Sequence, residues 1–310
     1  MNKFIVSSSP HISSPNTTAT IMLDVLVAML PAAIMSVVHF GLRALALILV
    51  CAATSVLSEA VFCLILKKPM PIGDLSAAVT GVMLAFNLPA SLPVWQAVVG
   101  SAIAIVVVKQ LFGGIGCNFV NPALAGRVIL AVSFTTTMTR YAYPDTAVDA
   151  LASATPLSVI AAGNGASLNL MDLFLGNHGG VLGETCCAAL LLGGLYLILR
   201  RVIKPIVPLA YIGSALVFLW AFGCDAPVAS ILSGGLFLGA FFMATDYVTS
   251  PYTDKGKLIF GVGCGLITAA IRTFANSTEG VAYSILLMNL LVPYINGWTR
   301  KKPYGTEVEV

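Results

Sequence analysis

Apolar stretches long enough to fill the hydrocarbon core of a bilayer recur about ten times along this chain, and each needs to cover roughly 30 Å. In lipid every backbone N–H and C=O must find a partner inside the protein, which leaves helices and closed barrels as the only spanning structures. Stretches of this length specify helices, so the fold class is an all-α integral membrane protein with about ten transmembrane helices. Composition points the same way. Only 9% of the 310 residues are charged and 58% are apolar, whereas a soluble domain carries roughly 25% charged residues. The mean hydropathy is +0.95. A buried soluble core is set aside because too little polar residue remains to cover its surface. The net charge of +3 is too small to argue for nucleic acid.

The predicted spans are 21–40, 43–66, 75–90, 95–112, 121–137, 181–199, 205–222, 226–244, 257–275 and 281–298. This divides the chain into a lead-in over 1–20, a first bundle half over 21–137, a loop over 138–180, a second half over 181–298 and a tail over 299–310. The lead-in has one lysine and no apolar core, so it is no signal peptide. Lys67, Lys68, Lys109, Arg200, Arg201, Lys204, Lys255, Lys257, Arg300, Lys301 and Lys302 fall on one side. The positive-inside rule makes that side cytoplasmic, with both termini. Arg43, Arg140 and Arg272 are the exceptions. The 138–180 loop then faces outward, and a loop of that length is usually functional or disordered.

Two spans are short. Between Asp74 and Pro89 there is room for roughly 21 Å of helix, and 121–137 contains Arg127. In the second half ATDYVTSPYT (244–253) and MNLLVPYIN (288–296) interrupt the apolar pattern. Short or broken segments at matching places suggest an internal repeat around a midplane site, with 75–137 corresponding to 226–298. Seven cysteines show no CxxC spacing, and His11, His39 and His178 make no metal-ligand pattern.

Four places carry candidate chemistry. In GGIGCNFVNPALAGR (113–127), Asn121 is placed to cap a helix whose first turn takes Pro122. Arg127 follows one turn later. An arginine inside an apolar span is functional by default; it binds an anion or electron-rich ring, or else pairs with a buried carboxylate such as Glu59. In MATDYVTSPYTDKGK (243–257), Thr245 and Asp246 end a span, where the helix dipole disfavours a carboxylate. Either a cation, a flavin N–H or Arg127 offsets it, or Asp246 simply starts a loop as an Asx-turn. Arg272 snorkels to the outer surface or holds a phosphate there. Asp24 lies near a helix start, where its charge is favoured, and Glu59 is an ion-pathway candidate. Finally, DALASATPLS (149–158) offers Thr155 in a flexible loop with no activating His/Asp pair. Such a hydroxyl reads as an attachment point or an ordinary loop residue rather than a nucleophile for hydrolysis.

These motifs, together with SSPH (8–11), IMLDVLVAMLPA (21–32) and EGVAYSILLMNLLVPYIN (279–296), run almost end to end and in order. The chain resembles the D subunit of Rnf-type ion-translocating electron-transport complexes and is similar to the B subunit of the Na⁺-translocating NADH:quinone reductase. The resemblance implies FMN joined through a phosphoester to Thr155, installed from FAD by an ApbE-type flavin transferase. Ser153 stands where the family usually has glycine. It also implies a second, non-covalent flavin, riboflavin, near Asn121–Arg127 and Thr245–Asp246. The implied fold is a ten-span bundle similar to urea and ammonium channels. The implied partners are the A, B, C, E and G-type subunits, in the bacterial inner membrane. An electron-carrying subunit of a ferredoxin:NAD oxidoreductase follows from this resemblance. It is not a complete enzyme, since the chain holds no nucleotide fingerprint and no iron–sulfur cysteine set. A urea-type solute channel and a non-redox scaffold are the rival readings.

Overall fold

The computed structural model describes residues 17–142, 155–275 and 279–300. Among the described residues the regular structure is helical, and two isolated antiparallel bridges are the only β pairing. Four helices are long and apolar enough to cross a membrane by length and composition: α1 (Thr18–Phe40), α2 (Leu42–Ile65), α13 (Asp254–Phe274) and α14 (Val281–Thr299). Shorter apolar helices are α3 (Ser76–Phe86), α4 (Val94–Ile103), α5 (Pro122–Ser133), α9 (Cys187–Leu199) and α10 (Ile206–Ala221). Small helices complete the set: α6 (Thr135–Met138), α7 (Pro156–Ala161), α8 (Leu170–Leu175), α11 (Pro227–Leu232) and α12 (Leu236–Leu238). Each of the ten predicted stretches therefore contains helix, but their lengths differ widely.

Local chemistry sets the boundaries. Thr17 and Thr20 close a reciprocal capping box at the start of α1. Gly41, at φ +70°, lets the chain turn directly into α2. Two helices end in wide π turns: α4 continues through Ala104–Gln110 and α12 through Gly239–Met243. A π turn inserts one residue and re-aims the side chains beyond it. Here it brings Lys109 and Gln110 inward, 4% and 3% exposed.

Two predicted spans are corrected by the backbone. The stretch read as 181–199 is helical only from Cys187; before it Val181 makes an isolated bridge and Leu182–Glu184 form a turn packed inside the protein. The Leu182 N–H donates to Leu88 O (3.0 Å) and the Gly183 N–H to Phe86 O (2.9 Å), while Val181 bridges to Pro89. This segment thus satisfies carbonyls that the early end of α3 would leave bare. The 226–244 stretch is broken by Ser233–Gly235, with Gly234 at φ +68°.

Packing follows small residues. On α13, Gly261 and Gly265 face α10 so closely that a Cβ on Gly265 would collide with Ser214 Oγ and lie 2.7 Å from the Ala215 nitrogen. Close approach through paired small residues is how helices associate where burial from water supplies no drive. Arg43 and the Arg140 backbone meet through Ser91, whose carbonyl accepts from Arg43 Nη2 (3.0 Å) and whose hydroxyl donates to Arg140 O (2.5 Å). Two of the three basic residues that broke the charge pattern therefore gather at one place.

The tight α10–α13 seam makes a prediction. Gly265→Leu lowers the thermal unfolding midpoint in detergent, at a cost of about 1–3 kcal/mol or more for overpacking. Gly263→Ala, which meets only the flexible Met288 side chain, stays close to wild type. Equal midpoints for the two variants would contradict the seam.

Candidate functional site

The structure divides the sequence-predicted site residues among three places. The first is a cleft of about 820 Å³ whose wall includes Ser76, Lys109, Asn121, Thr245 and Asp246. Asn121 caps α5 as its sequence suggests: Oδ1 accepts from the Ala123 and Leu124 N–H groups (3.0 and 3.4 Å) and Nδ2 donates to Met243 O (3.4 Å). Asn289 locks the same corner. With its amide oriented to suit its neighbours, it donates to Ile285 O and Thr249 O and accepts from the Asn121 N–H. That gives the MNLLVPYIN motif a structural role.

Asp246 adopts the Asx-turn. Its carboxylate accepts from Thr249 Oγ1 (3.0 Å) and the Val248 N–H (3.4 Å), and Arg127 is not among its partners. Thr245 turns its hydroxyl back to Phe241 O (2.7 Å). On the opposite wall, Lys109 lies 2.7 Å from Glu59 and donates to Ser76 Oγ (2.6 Å), which donates to Asp74 (2.6 Å). Gln110 also donates to Glu59 (2.5 Å). Glu59 is therefore the partner of Lys109, not of Arg127.

Arg127 belongs to the second place. It is 4% exposed, and Nη1 donates to Asn87 Oδ1 (2.8 Å) and Glu184 Oε1 (3.2 Å). Nη2 donates to Glu279, whose other oxygen accepts from Tyr141 (3.3 Å). One arginine thus holds two carboxyl groups. Burial, then the Glu279 carboxylate, push the Tyr141 phenol well above its ordinary range, so it remains a proton donor. Beside this cluster lies a cavity of about 330 Å³ lined by Thr155, His178, Tyr141, Glu184, Gly234 and Glu279.

Thr155 sits at its mouth, half-buried, as the N-cap of α7. Its Oγ1 accepts from the Ser158 N–H (3.4 Å) and donates to Ser158 Oγ (3.3 Å). Pro156 occupies the first helical position, where its missing N–H costs nothing. Ser153 lies outside the described residues. His178 is 5% exposed, and burial pushes its imidazole below the ordinary histidine range. Its Nδ1 is 3.2 Å from Gly179 O and so carries the proton, leaving Nε2 a bare acceptor without a partner among the described residues.

Arg272 occupies a third place. It neither reaches Arg127's cluster nor simply snorkels. Nη1 donates to Ser230 O and Ser230 Oγ (3.3 Å), and Nη2 donates to Ser233 O (3.2 Å). These oxygens lie at the C-terminal end of α11, where a cation is favoured. Asp24, read from sequence as a helix-start carboxylate, bonds across to α9 through Tyr196 (2.9 Å) and Arg200 (3.1 Å).

The sequence missed Asn87, Tyr141, His178, Glu184 and Glu279 as neighbours of Thr155 and Arg127. The available signal was scarcity: each acid in a chain so poor in charge needs a partner. The cluster makes a prediction. Arg127→Met strands the buried Glu184 and the half-buried Glu279 and destabilises by about 3–5 kcal/mol, read as a fall in the unfolding midpoint. Adding Glu184→Gln restores part of the loss. A double variant no better than the single would contradict the pairing.

Comparison with known proteins agrees with this arrangement of motifs. Residues 5–305 match the NQR2, RnfD, RnfE family. The chain is 49% identical over 304 residues to the D subunit of the Na⁺-translocating ferredoxin:NAD⁺ oxidoreductase complex of Acetobacterium woodii, covering 97% of this chain and 95% of that one. It is 40% identical to the D subunit of the proton-translocating ferredoxin:NAD⁺ oxidoreductase complex of Clostridium ljungdahlii, covering 98% and 97%. It is 35% identical to the D subunit of the ion-translocating oxidoreductase complex of Alcanivorax borkumensis, covering 97% and 96%. By the extent and continuity of these matches, this chain is a member of the NQR2, RnfD, RnfE family.

Proposed function

We propose that this chain is the D-type membrane subunit of an ion-translocating ferredoxin:NAD⁺ oxidoreductase complex, and that it carries electrons on a flavin joined to Thr155. The end-to-end identity to the D subunits of such complexes carries the first part. Relatives named for Na⁺ and for H⁺ both match over nearly their whole length, so the coupling ion is either of these. The A, B, C, E and G-type subunits are the partners, and an ApbE-type transferase performs the maturation.

The residues present fit a tethered FMN. Among the described residues Thr155 Oγ1 bonds only within its own turn. Once esterified, it can still accept from the Ser158 N–H, so α7 keeps its cap. In the attachment step Oγ1 attacks the flavin-side phosphorus of FAD. The pyrophosphate bond breaks, AMP leaves, and the hydroxyl proton passes to a base on the transferase. No electrons move. When bound, the flavin supplies one- and two-electron chemistry, while the protein contributes placement and electrostatics. Tyr141 donates to the Glu279 oxygen that Arg127 leaves free, beside the tether. Ser153 forms part of the transferase's recognition sequence.

A second flavin, riboflavin, is assigned to the cleft lined by Asn121, Thr245 and Asp246. Asn121, Thr245, Asp246 and Lys109 offer both donors and acceptors there. Arg127 is dropped from this second site, because its donors are taken elsewhere.

The fold assigned is a ten-span bundle with an internal repeat like that of urea and ammonium channels. Neighbour relations support it: α2 packs on α3 and α4 as α10 packs on α11 and α13, and α1 meets α9 where α5 meets α14. Placement in a bacterial inner membrane, with both termini cytoplasmic and Thr155 outside, rests on the distribution of basic residues.

The test is denaturing electrophoresis of membranes from cells co-expressing the transferase. A band near 32.3 kDa fluoresces in wild type and is dark in Thr155→Val. A dark wild-type band, with the transferase active on another substrate, would overturn the electron-carrier reading.

A further inference from the structure

A transferase that esterifies Thr155 must hold the chain around the hydroxyl, and the folded protein does not offer it in that form. Thr155 is half-buried, and the two residues after it, Pro156 and Leu157, are buried. Its Oγ1 donates to Ser158 Oγ (3.3 Å) and accepts from the Ser158 N–H (3.4 Å). The cavity that the threonine borders also carries the Glu184 and Glu279 carboxyl groups, which are unfavourable neighbours for a diphosphate.

The segment that holds the hydroxyl in this setting is weakly fastened. α7 has six residues, too few for a helix to persist alone. Leu157 fastens its start: it is 8% exposed, and a Cβ on Gly234 would lie 2.8 Å from Leu157 Cδ1. The next buried residue is Gly165, where a Cβ would lie 2.6 Å from that of Ala226. Between these fastenings Ser158, Val159 and Ile160 are partly exposed and residues 161–164 are exposed. Gly163 turns the chain at φ +79°, a conformation that suits glycine. A Cβ there would meet only Asp225 Oδ2, at 3.6 Å. One apolar anchor and one cap therefore keep α7 shut, with a glycine pivot at its far end.

Building on the assignment of FMN to Thr155, we propose that α7 is a strap that the transferase reads open. Residues 155–161 unwind about Gly163, present Thr155 on an extended segment, and close again once the phosphoester is made. In the open form Oγ1 is free of Ser158. It bonds to the flavin-side phosphorus, the pyrophosphate P–O bond breaks, AMP leaves with the electron pair, and the hydroxyl proton passes to a base on the transferase. Closing uses only what the ester retains. Oγ1 still accepts from the Ser158 N–H, and Leu157 returns to its seat beside Gly234. The bond from Oγ1–H to Ser158 Oγ is lost, but Ser158 Oγ keeps its own bond to Thr155 O (2.7 Å). Closure then withdraws the ester from the transferase, so that AMP cannot reverse the transfer. Short, sparsely packed segments are where folded proteins open at low cost. The fraction of time that α7 is open therefore sets the rate of maturation.

The test uses the complex purified from cells lacking the transferase, then incubated with FAD and a sub-saturating amount of purified transferase. Covalent flavin is followed over time by in-gel fluorescence. Leu157→Cys with Gly234→Cys ties the strap to its seat: Leu157 Cγ marks the place of the new sulfur and lies 3.8 Å from a Cβ at 234, within reach of a disulfide. Oxidised, this variant stays dark over the time in which wild type labels fully; reduced, it labels at least as fast as wild type. Ala161→Gly, at an exposed position, weakens the helix and labels severalfold faster. Equal labelling of the oxidised and reduced pair would overturn the strap and leave the attachment at Thr155 standing, and so would an Ala161→Gly rate equal to wild type. If the cysteine pair does not cross-link, the Ala161→Gly rate decides alone. Wild type that stays dark, with the transferase active on another substrate, would remove the attachment and the strap together.

Discussion

A guanidinium buried in an apolar helical protein cannot be left alone, and the segments around Arg127 are arranged to meet that requirement. Arg127 on α5 gathers Asn87 from the end of α3, Glu184 from the turn before α9, and Glu279 from the approach to α14. Those four segments come from both halves of the sequence. A buried pair adds little net stability by itself, because desolvation offsets attraction. Its effect here is to fix which segments meet. The same turn then supplies the N–H groups that α3 needs where it stops short.

Short helices follow from this arrangement rather than weakening it. Backbone that is irregular at membrane depth survives only when protein groups satisfy it. The ends of α3, α5 and α11 each have such groups: the backbone of the turn before α9, an asparagine cap and an arginine. Two of these ends, at Asn121 and Ser230, also border clefts.

Much of this is legible in the sequence. Scarce charge and recurrent apolar stretches specify the helical membrane class, and Pro and Gly placement marks the short segments. Asn121 as a cap and Asp246 in an Asx-turn can be read from local chemistry. The pairings cannot. Arg127 and Glu59 are both buried charges in early helices, and nothing local says that Lys109 takes one and Glu184 with Glu279 the other. Lys109 reads as a loop-proximal basic residue as long as its stretch is regular helix. His178 reads as a loop residue and Glu184 as a residue of the 181–199 helix as long as that helix begins where the chain in fact makes a turn. Those are long-range facts, set by which segments pack together.

The π turn at Ala104–Gln110 carries a further implication for the length of this segment. A regular helix advances about 100° per residue, and the wide turn accommodates one residue more than the α register allows. Lys109 meets Glu59 only because of that surplus residue. Were the segment one residue shorter and the helix regular, the ammonium would rotate away toward lipid and Glu59 would lose its charge partner. Chain length in this turn is therefore under the same constraint as residue identity, although no side chain in it records the fact.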